Sequence, residues 1–117
     1  MSRKSGYIPE RGDAVWITVD PQAGHEQVGR RPALVLSPSA YNGRVGLALL
    51  CPVTSDVKGY PFEVCLPAGS PVSRVVGADQ VKSLDWRARK ASRLGKVSDE
   101  VVAHVLARLH TLLAGGG

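Results

Sequence analysis

Two cysteines in 117 residues are too few for a disulfide framework, and Cys51 and Cys65 have neither the CxxC nor the histidine spacing that builds a zinc site. Both are expected to be buried free thiols, since cysteine is among the residue types found most often inside. Long apolar runs are also missing. The longest, from Leu47 to Val53, falls far short of the ~18 residues a membrane-spanning helix needs. The basic N-terminal stretch MSRKSGYIPERGD has no apolar segment behind it, so it lacks the core of a secretory signal and points to a cytoplasmic protein. Familiar catalytic signatures are absent as well. His25, His104 and His110 are too scattered for an acid–base pair, no Asp or Glu cluster resembles a metal cage, and no GxSxG elbow, phosphate loop or dinucleotide fingerprint occurs. Neither metal nor cofactor is expected.

What is present is the composition of a folded domain, 44% hydrophobic and 21% charged, and a length that accommodates one domain over residues 1–117. The net charge is +5. The stretch WRARKASRLGK, Trp86 to Lys96, carries Arg87, Arg89, Lys90, Arg93 and Lys96 without an acidic residue and so equals the whole excess. Such a run is either a solvated face or a surface for phosphates. GDAVWITVD alternates, with Val15, Ile17 and Val19 on one side and Trp16 and Thr18 on the other, which predicts a half-buried strand. Residues 22–31 have no period and read as a surface loop. Further short strands are expected at PFEVCL, VVGADQVKSLD and ASRLGKV. The last segment differs. Ser98 is placed to cap a helix, Asp99 and Glu100 suit its first turn, and Val102, Val105, Leu106, Leu109 and Leu113 recur at helical spacing. His104 and His110 are expected on its surface. The architecture is therefore mainly β, a small twisted barrel with one C-terminal amphipathic helix.

RPALVLS and RVGLALLCPV flank Asn42-Gly43, which predicts a hairpin with a two-residue turn. Tyr41 would then oppose Arg44, every cross-strand pair would sum to 85, and Arg31 would stand across from Thr54 at the open end. Pro32, Pro38 and Pro52 are the places where that register could slip. A guanidinium beside a hydroxyl suits a phosphodiester, whose non-bridging oxygens both groups can bind.

The stretches GDAVWITVDP, GHEQVGRRPALVLSP, CPVTSDVKGYPFEV and ADQVKSLDWRAR, in this order and spacing, resemble the MazF family of toxin endoribonucleases, also called PemK or Kid. That resemblance covers nearly the whole chain. It implies an SH3-like, CcdB/Kid-type barrel that forms a homodimer and cleaves single-stranded RNA at short sequences without a metal. It also implies a cognate antitoxin with an acidic, flexible tail, and a toxin–antitoxin complex that binds its operator DNA through the antitoxin. Carried across position by position, the family's catalytic arginine and threonine fall on Arg31 and Thr54, and its loop glutamate and glutamine on Glu26 and Gln27. Arg30 stands where a well-known member has histidine. RNA provides its own nucleophile, the 2′-hydroxyl, so an enzyme need only align it, stabilise the crowded phosphate and handle two protons. The expected site is catalytic at Arg31, Thr54 and Glu26, with RNA held by Gln27, Arg30, Ser55, Lys58, Arg87 and Arg89. Two other readings remain: a CcdB-like toxin that binds DNA gyrase without cutting, and a non-catalytic RNA-binding barrel.

Overall fold

The computed structural model describes residues 6–18, 29–72 and 74–115. Seven strands form one antiparallel sheet: β1 (Asp13–Thr18), β2 (Arg30–Val35), β3 (Ala48–Thr54), β4 (Glu63–Cys65), β5 (Val75–Gly77), β6 (Lys82–Leu84) and β7 (Ser92–Lys96). Helix α1 (Ser39–Val45) joins β2 to β3, a 3₁₀ turn covers Ala78–Gln80, and α2 (Asp99–Ala114) closes the fold. The path of pairing is β4-β5-β3-β2-β1-β7, and β6 adds to β3. Strand β3 is the hub. Its Ala48, Leu49 and Leu50 pair with β6, while Val53 and Thr54 pair with β5. The mainly β architecture with a terminal helix is as expected, although among the described residues the ladder does not close into a ring.

The central strands read as nearly continuous apolar runs because both of their faces are covered. Ala14, Leu34, Cys51 and Val53 face a cluster completed by Val64, Val76 and the helix residues Val101, Val102 and Val105. Their neighbours Val15, Ile17, Ala33, Val35, Ala48 and Leu50 face the opposite cluster, which Trp86 joins. Helix α2 starts where the sequence indicates, with the Ser98 hydroxyl accepting from Val101 N at 3.3 Å. His104 and His110 are exposed, as expected. Leu113 is 76% exposed, so the apolar stripe of α2 stops short of it.

Two expectations are corrected. Asn42 and Gly43 do not turn a hairpin; they lie inside α1, which ends at Gly46 in the left-handed conformation (φ 85°). The reason is burial. Asn42 is fully enclosed, its amide donates to Pro9 O at 2.7 Å and Ser37 O at 3.0 Å, and its side-chain oxygen accepts from Ser37 Oγ at 2.6 Å. Its backbone carbonyl accepts from Gly46 N and from the Trp86 indole, both at 3.0 Å. The second correction concerns the thiols. Cys51 is buried, and burial pushes it up to about 12, but Cys65 is exposed. Strand β4 has three residues and Val64 is the one turned inward, which leaves Cys65 on the outer face.

A buried carboxylate anchors the other end of β1. Asp13 accepts from the Tyr7 hydroxyl at 2.7 Å, Glu10 N at 3.1 Å and Arg93 Nε at 3.4 Å. Burial, reinforced by Asp13, pushes the Tyr7 hydroxyl above the ordinary phenol range.

Candidate active site

The β2–β3 ladder pairs Val35 with Leu50, Leu34 with Cys51 and Ala33 with Pro52. Each pair sums to 85, so the register is the one expected even though a helix replaces the turn. Past Ala33 the expected pairing of Arg31 with Thr54 is not formed, because the strands change partners. Arg31 and Pro32 stay with β1, opposite Ile17 and Trp16, whereas Val53 and Thr54 go to β5, opposite Val76 and Val75. Pro32 and Pro52 carry no N–H, so the ladder loses its donors where the strands part. The separation opens a cleft of about 420 Å³ lined by Trp16, Arg31, Pro32, Val53, Thr54 and Ser55, with Pro71, Val72 and Leu94 completing its wall.

Arg31 and Thr54 thus face one hollow, and the same two residues border a second one of about 280 Å³ beside Gln80 and Lys82. Arg31 donates to the Arg30 carbonyl at 3.0 Å, which folds the guanidinium back against its own strand. The Thr54 hydroxyl accepts from Asp56 N at 3.0 Å. With one lone pair engaged, the hydroxyl keeps a proton to donate. A guanidinium and a hydroxyl donor therefore meet beside an apolar wall that includes the indole of Trp16, itself 39% exposed. Such a site can hold an oxyanion with an aromatic platform beside it.

Ser55 shares the cleft. Lys58 lines a neighbouring hollow of about 190 Å³ that also includes Thr54, Asp56, Tyr60, Glu63 and Gln80. Its ammonium pairs with Asp56 at 2.8 Å, and that contact holds the Asp56 carboxyl below the ordinary carboxylate range. The other cations have different surroundings. Arg30 donates to Thr18 Oγ1 and Lys90 O at 3.0 Å and to Ser92 Oγ at 3.1 Å, stitching β1, β2 and the turn before β7. Arg89 donates to Thr18 O at 3.1 Å, and Arg87 lies over the Trp86 ring, 4.2 Å from its centre. None of these three lines the cleft. Glu26 and Gln27 lie outside the described residues.

Sequence reasoning missed the cleft's wall and the carboxylate of Glu63 in the neighbouring hollow. Trp16 carried a signal, an indole on the solvent side of an alternating strand, where a polar residue is usual. Glu63 lies only four and five residues beyond Gly59 and Lys58, whose amides it accepts, so its contact is a local one that closes the turn before β4.

Residues 10–113 match the family described as PemK-like, MazF-like toxin of type II toxin-antitoxin system. The chain is 47% identical over 109 residues to the endoribonuclease toxin MazF of Escherichia coli K12, covering 93% of this chain and 97% of that one. It is 39% identical to the endoribonuclease PemK of Escherichia coli, covering 97% and 86%. Among solved structures, MazF from Deinococcus radiodurans (Form-I) superposes with a TM-score of 0.82 at 59% identity, covering 92% and 97%. The MazE-MazF crystal structure (Form-II) from the same organism gives 0.83 at 51% identity, covering 94% and 99%.

Proposed function

Because the chain belongs to the PemK-like, MazF-like toxin family of type II toxin-antitoxin systems, we propose that it is an endoribonuclease whose reaction takes place between Arg31 and Thr54. The observation that carries this reading is the shared cleft, opened where two prolines end the β2–β3 ladder. Single-stranded RNA enters with its scissile phosphate against the Arg31 guanidinium and the Thr54 hydroxyl. The 2′-hydroxyl attacks the adjacent phosphorus, and the 5′-oxygen of the next nucleotide leaves. Two donors fixed at the non-bridging oxygens stabilise charge that grows only as the phosphorane forms, which lowers the barrier rather than merely tightening binding. Arg31 also suits protonation of the leaving oxygen, which as an alkoxide is more basic than a guanidine, while a guanidinium that starts the reaction charged cannot serve as the base. Glu26 is assigned to the 2′-hydroxyl proton.

The base next to the scissile bond stacks on Trp16, and Gln27, Ser55 and Lys58 contact the flanking nucleotides. Arg30, Arg87 and Arg89 contribute long-range attraction for the RNA backbone from outside the cleft. The active form is a homodimer of single-domain chains, residues 1–117, in the cytoplasm. A cognate antitoxin covers the cleft with an acidic tail, so RNA and antitoxin compete, and their complex binds operator DNA through the antitoxin. The nucleophile is already attached to the substrate, so no metal is needed to generate it.

The test is to incubate the purified protein with a long single-stranded RNA in excess chelator and map the ends. Cuts at one repeated short motif, leaving a 2′,3′-cyclic phosphate and a 5′-hydroxyl, are expected. A substrate with one deoxynucleotide at the cut position should bind and survive. Cleavage of that substrate, or a requirement for a divalent ion, overturns the reading.

A further inference from the structure

The loop between β3 and β4 is built around one carboxylate. Glu63 accepts Lys58 N through both oxygens, at 2.9 and 3.2 Å, and Gly59 N at 2.7 Å. Consecutive amides converging on an anion form a concave nest, and here the anion belongs to the protein itself. Gly59 has φ +82°, with nothing within 4 Å of where a Cβ would sit, so glycine is required by the backbone and not by crowding. From this nest a chain of contacts runs back toward the cleft. Lys58 Nζ binds Asp56 Oδ2 at 2.8 Å, and Asp56 N binds Thr54 Oγ1 at 3.0 Å. The base of the arrangement is rigid. Glu63 pairs with Gly77 across β4 and β5, and β5 in turn pairs its Val75 with Thr54.

We propose that Glu63 is a positioning residue of the ribonucleolytic site, holding residues 55–59 so that Asp56 N occupies one lone pair of Thr54 and leaves the hydroxyl proton for the scissile phosphate. Other contacts buttress the far side of this loop. Tyr60 donates to Asp79 at 2.9 Å, and Arg108 donates to Pro61 O at 3.0 Å. On the Thr54 side, the Lys58 and Gly59 amides are held by Glu63. Its reach matters as much as its charge, because a shorter carboxylate cannot meet both amides, whereas an uncharged amide of equal length keeps one oxygen placed like Oε1, which accepts from both Gly59 N at 2.7 Å and Lys58 N at 3.2 Å. The inference rests on the catalytic reading of Thr54.

The experiment compares Glu63→Gln and Glu63→Asp with wild type on a short single-stranded RNA containing the cleavage motif. Misplacing a catalytic group by about an ångström costs up to ~100-fold, so Glu63→Asp should lose about tenfold or more in kcat, with a smaller change in KM. Glu63→Gln should stay within about threefold, since one neutral acceptor remains. The order, length ahead of charge, is one that a through-space charge effect would not produce. Amide hydrogen exchange gives a readout independent of turnover: the Lys58 and Gly59 amides should be protected in wild type and Glu63→Gln and exchange faster in Glu63→Asp. A kcat for Glu63→Asp within about twofold of wild type, a loss in Glu63→Gln as large as in Glu63→Asp, or equal exchange in all three proteins overturns the proposal. Thr54→Ala separates the two readings. If Thr54→Ala is inactive while Glu63→Asp is normal, only the role of Glu63 fails; if Thr54→Ala turns over normally, the site itself fails.

Discussion

The two ends of the β2–β3 ladder are built on opposite principles. At the α1 end every polar group of Asn42 is enclosed and bonded within the protein, to Pro9, Ser37, Pro38, Gly46 and Trp86. At the other end the strands part, Arg31 and Thr54 are exposed, and the Thr54 hydroxyl keeps a proton to donate. Enclosed, fully satisfied polar groups hold one geometry and do no chemistry, because nothing is left to offer a ligand. Donors held at a strand end, with their backbone tied to neighbouring strands, can meet a substrate without further ordering. The first end should therefore answer to mutation in stability, and the second in turnover.

The sharpest break in that contrast is at the open end. Arg31→Ala and Thr54→Ala should each lower kcat by roughly 100-fold or more, equivalent to about 3 kcal/mol of transition-state stabilisation, with circular dichroism unchanged. Turnover near wild type in a folded variant removes that residue from the site. Asn42→Ala should act the other way round. It leaves the Pro9 and Ser37 carbonyls without their buried donor and should cost about 2–3 kcal/mol in denaturant unfolding, with kcat per folded molecule near normal. A stable Asn42→Ala protein with impaired turnover would mean that the two ends are coupled.

Arg30 tests the boundary between the two behaviours. Its bonds to Thr18, Lys90 and Ser92 are partly exposed, so Arg30→Ala should destabilise by about 1–2 kcal/mol and lower the melting temperature, whereas a pure RNA contact would raise KM and leave melting unchanged. The smallest effect belongs to the exposed Lys58–Asp56 pair. The Lys58 ammonium holds the Asp56 carboxyl below its ordinary range, so whatever the pair contributes is present at neutral pH and fades as pH falls through that lowered value. Lys58→Ala should leave thermal melting at neutral pH unchanged within error and raise KM for RNA, less so at high salt. A clear drop in melting temperature would show that the ion pair itself holds the loop.

Much of the fold was legible from local patterns. Alternation in GDAVWITVD located β1, and the Ser98 cap with its acidic first turn located the start of α2. The link between β2 and β3 was misread, because Asn42-Gly43 satisfies turn chemistry as well as it fits a short helix. The local choice was overridden by the buried bonds of Asn42 and by Gly46, which ends the helix at a left-handed residue. The pairing of β2 with β3 nevertheless has the expected register. A helical link centred on the same point returns the chain in phase, and both strands must keep their apolar residues on the same buried faces, which a one-residue slip would reverse.

The order of apolar and polar residues along the chain, on its own, determined the β-rich class, the terminal helix and the faces on which β2 and β3 pair, while Arg31 and Thr54 come to one cleft only because those strands part. Strand alternation and helix capping act over a few residues, so the sequence displays them directly. Tertiary structure alone decided which cations serve as clamps and which line the cleft. It also decided that Cys65 is exposed and that Trp16 walls the site. Those outcomes depend on which strands separate and which approach from across the sheet, and residues as far apart in sequence as Trp16 and Leu94, or Arg30 and Lys90, meet only when the whole ladder has formed.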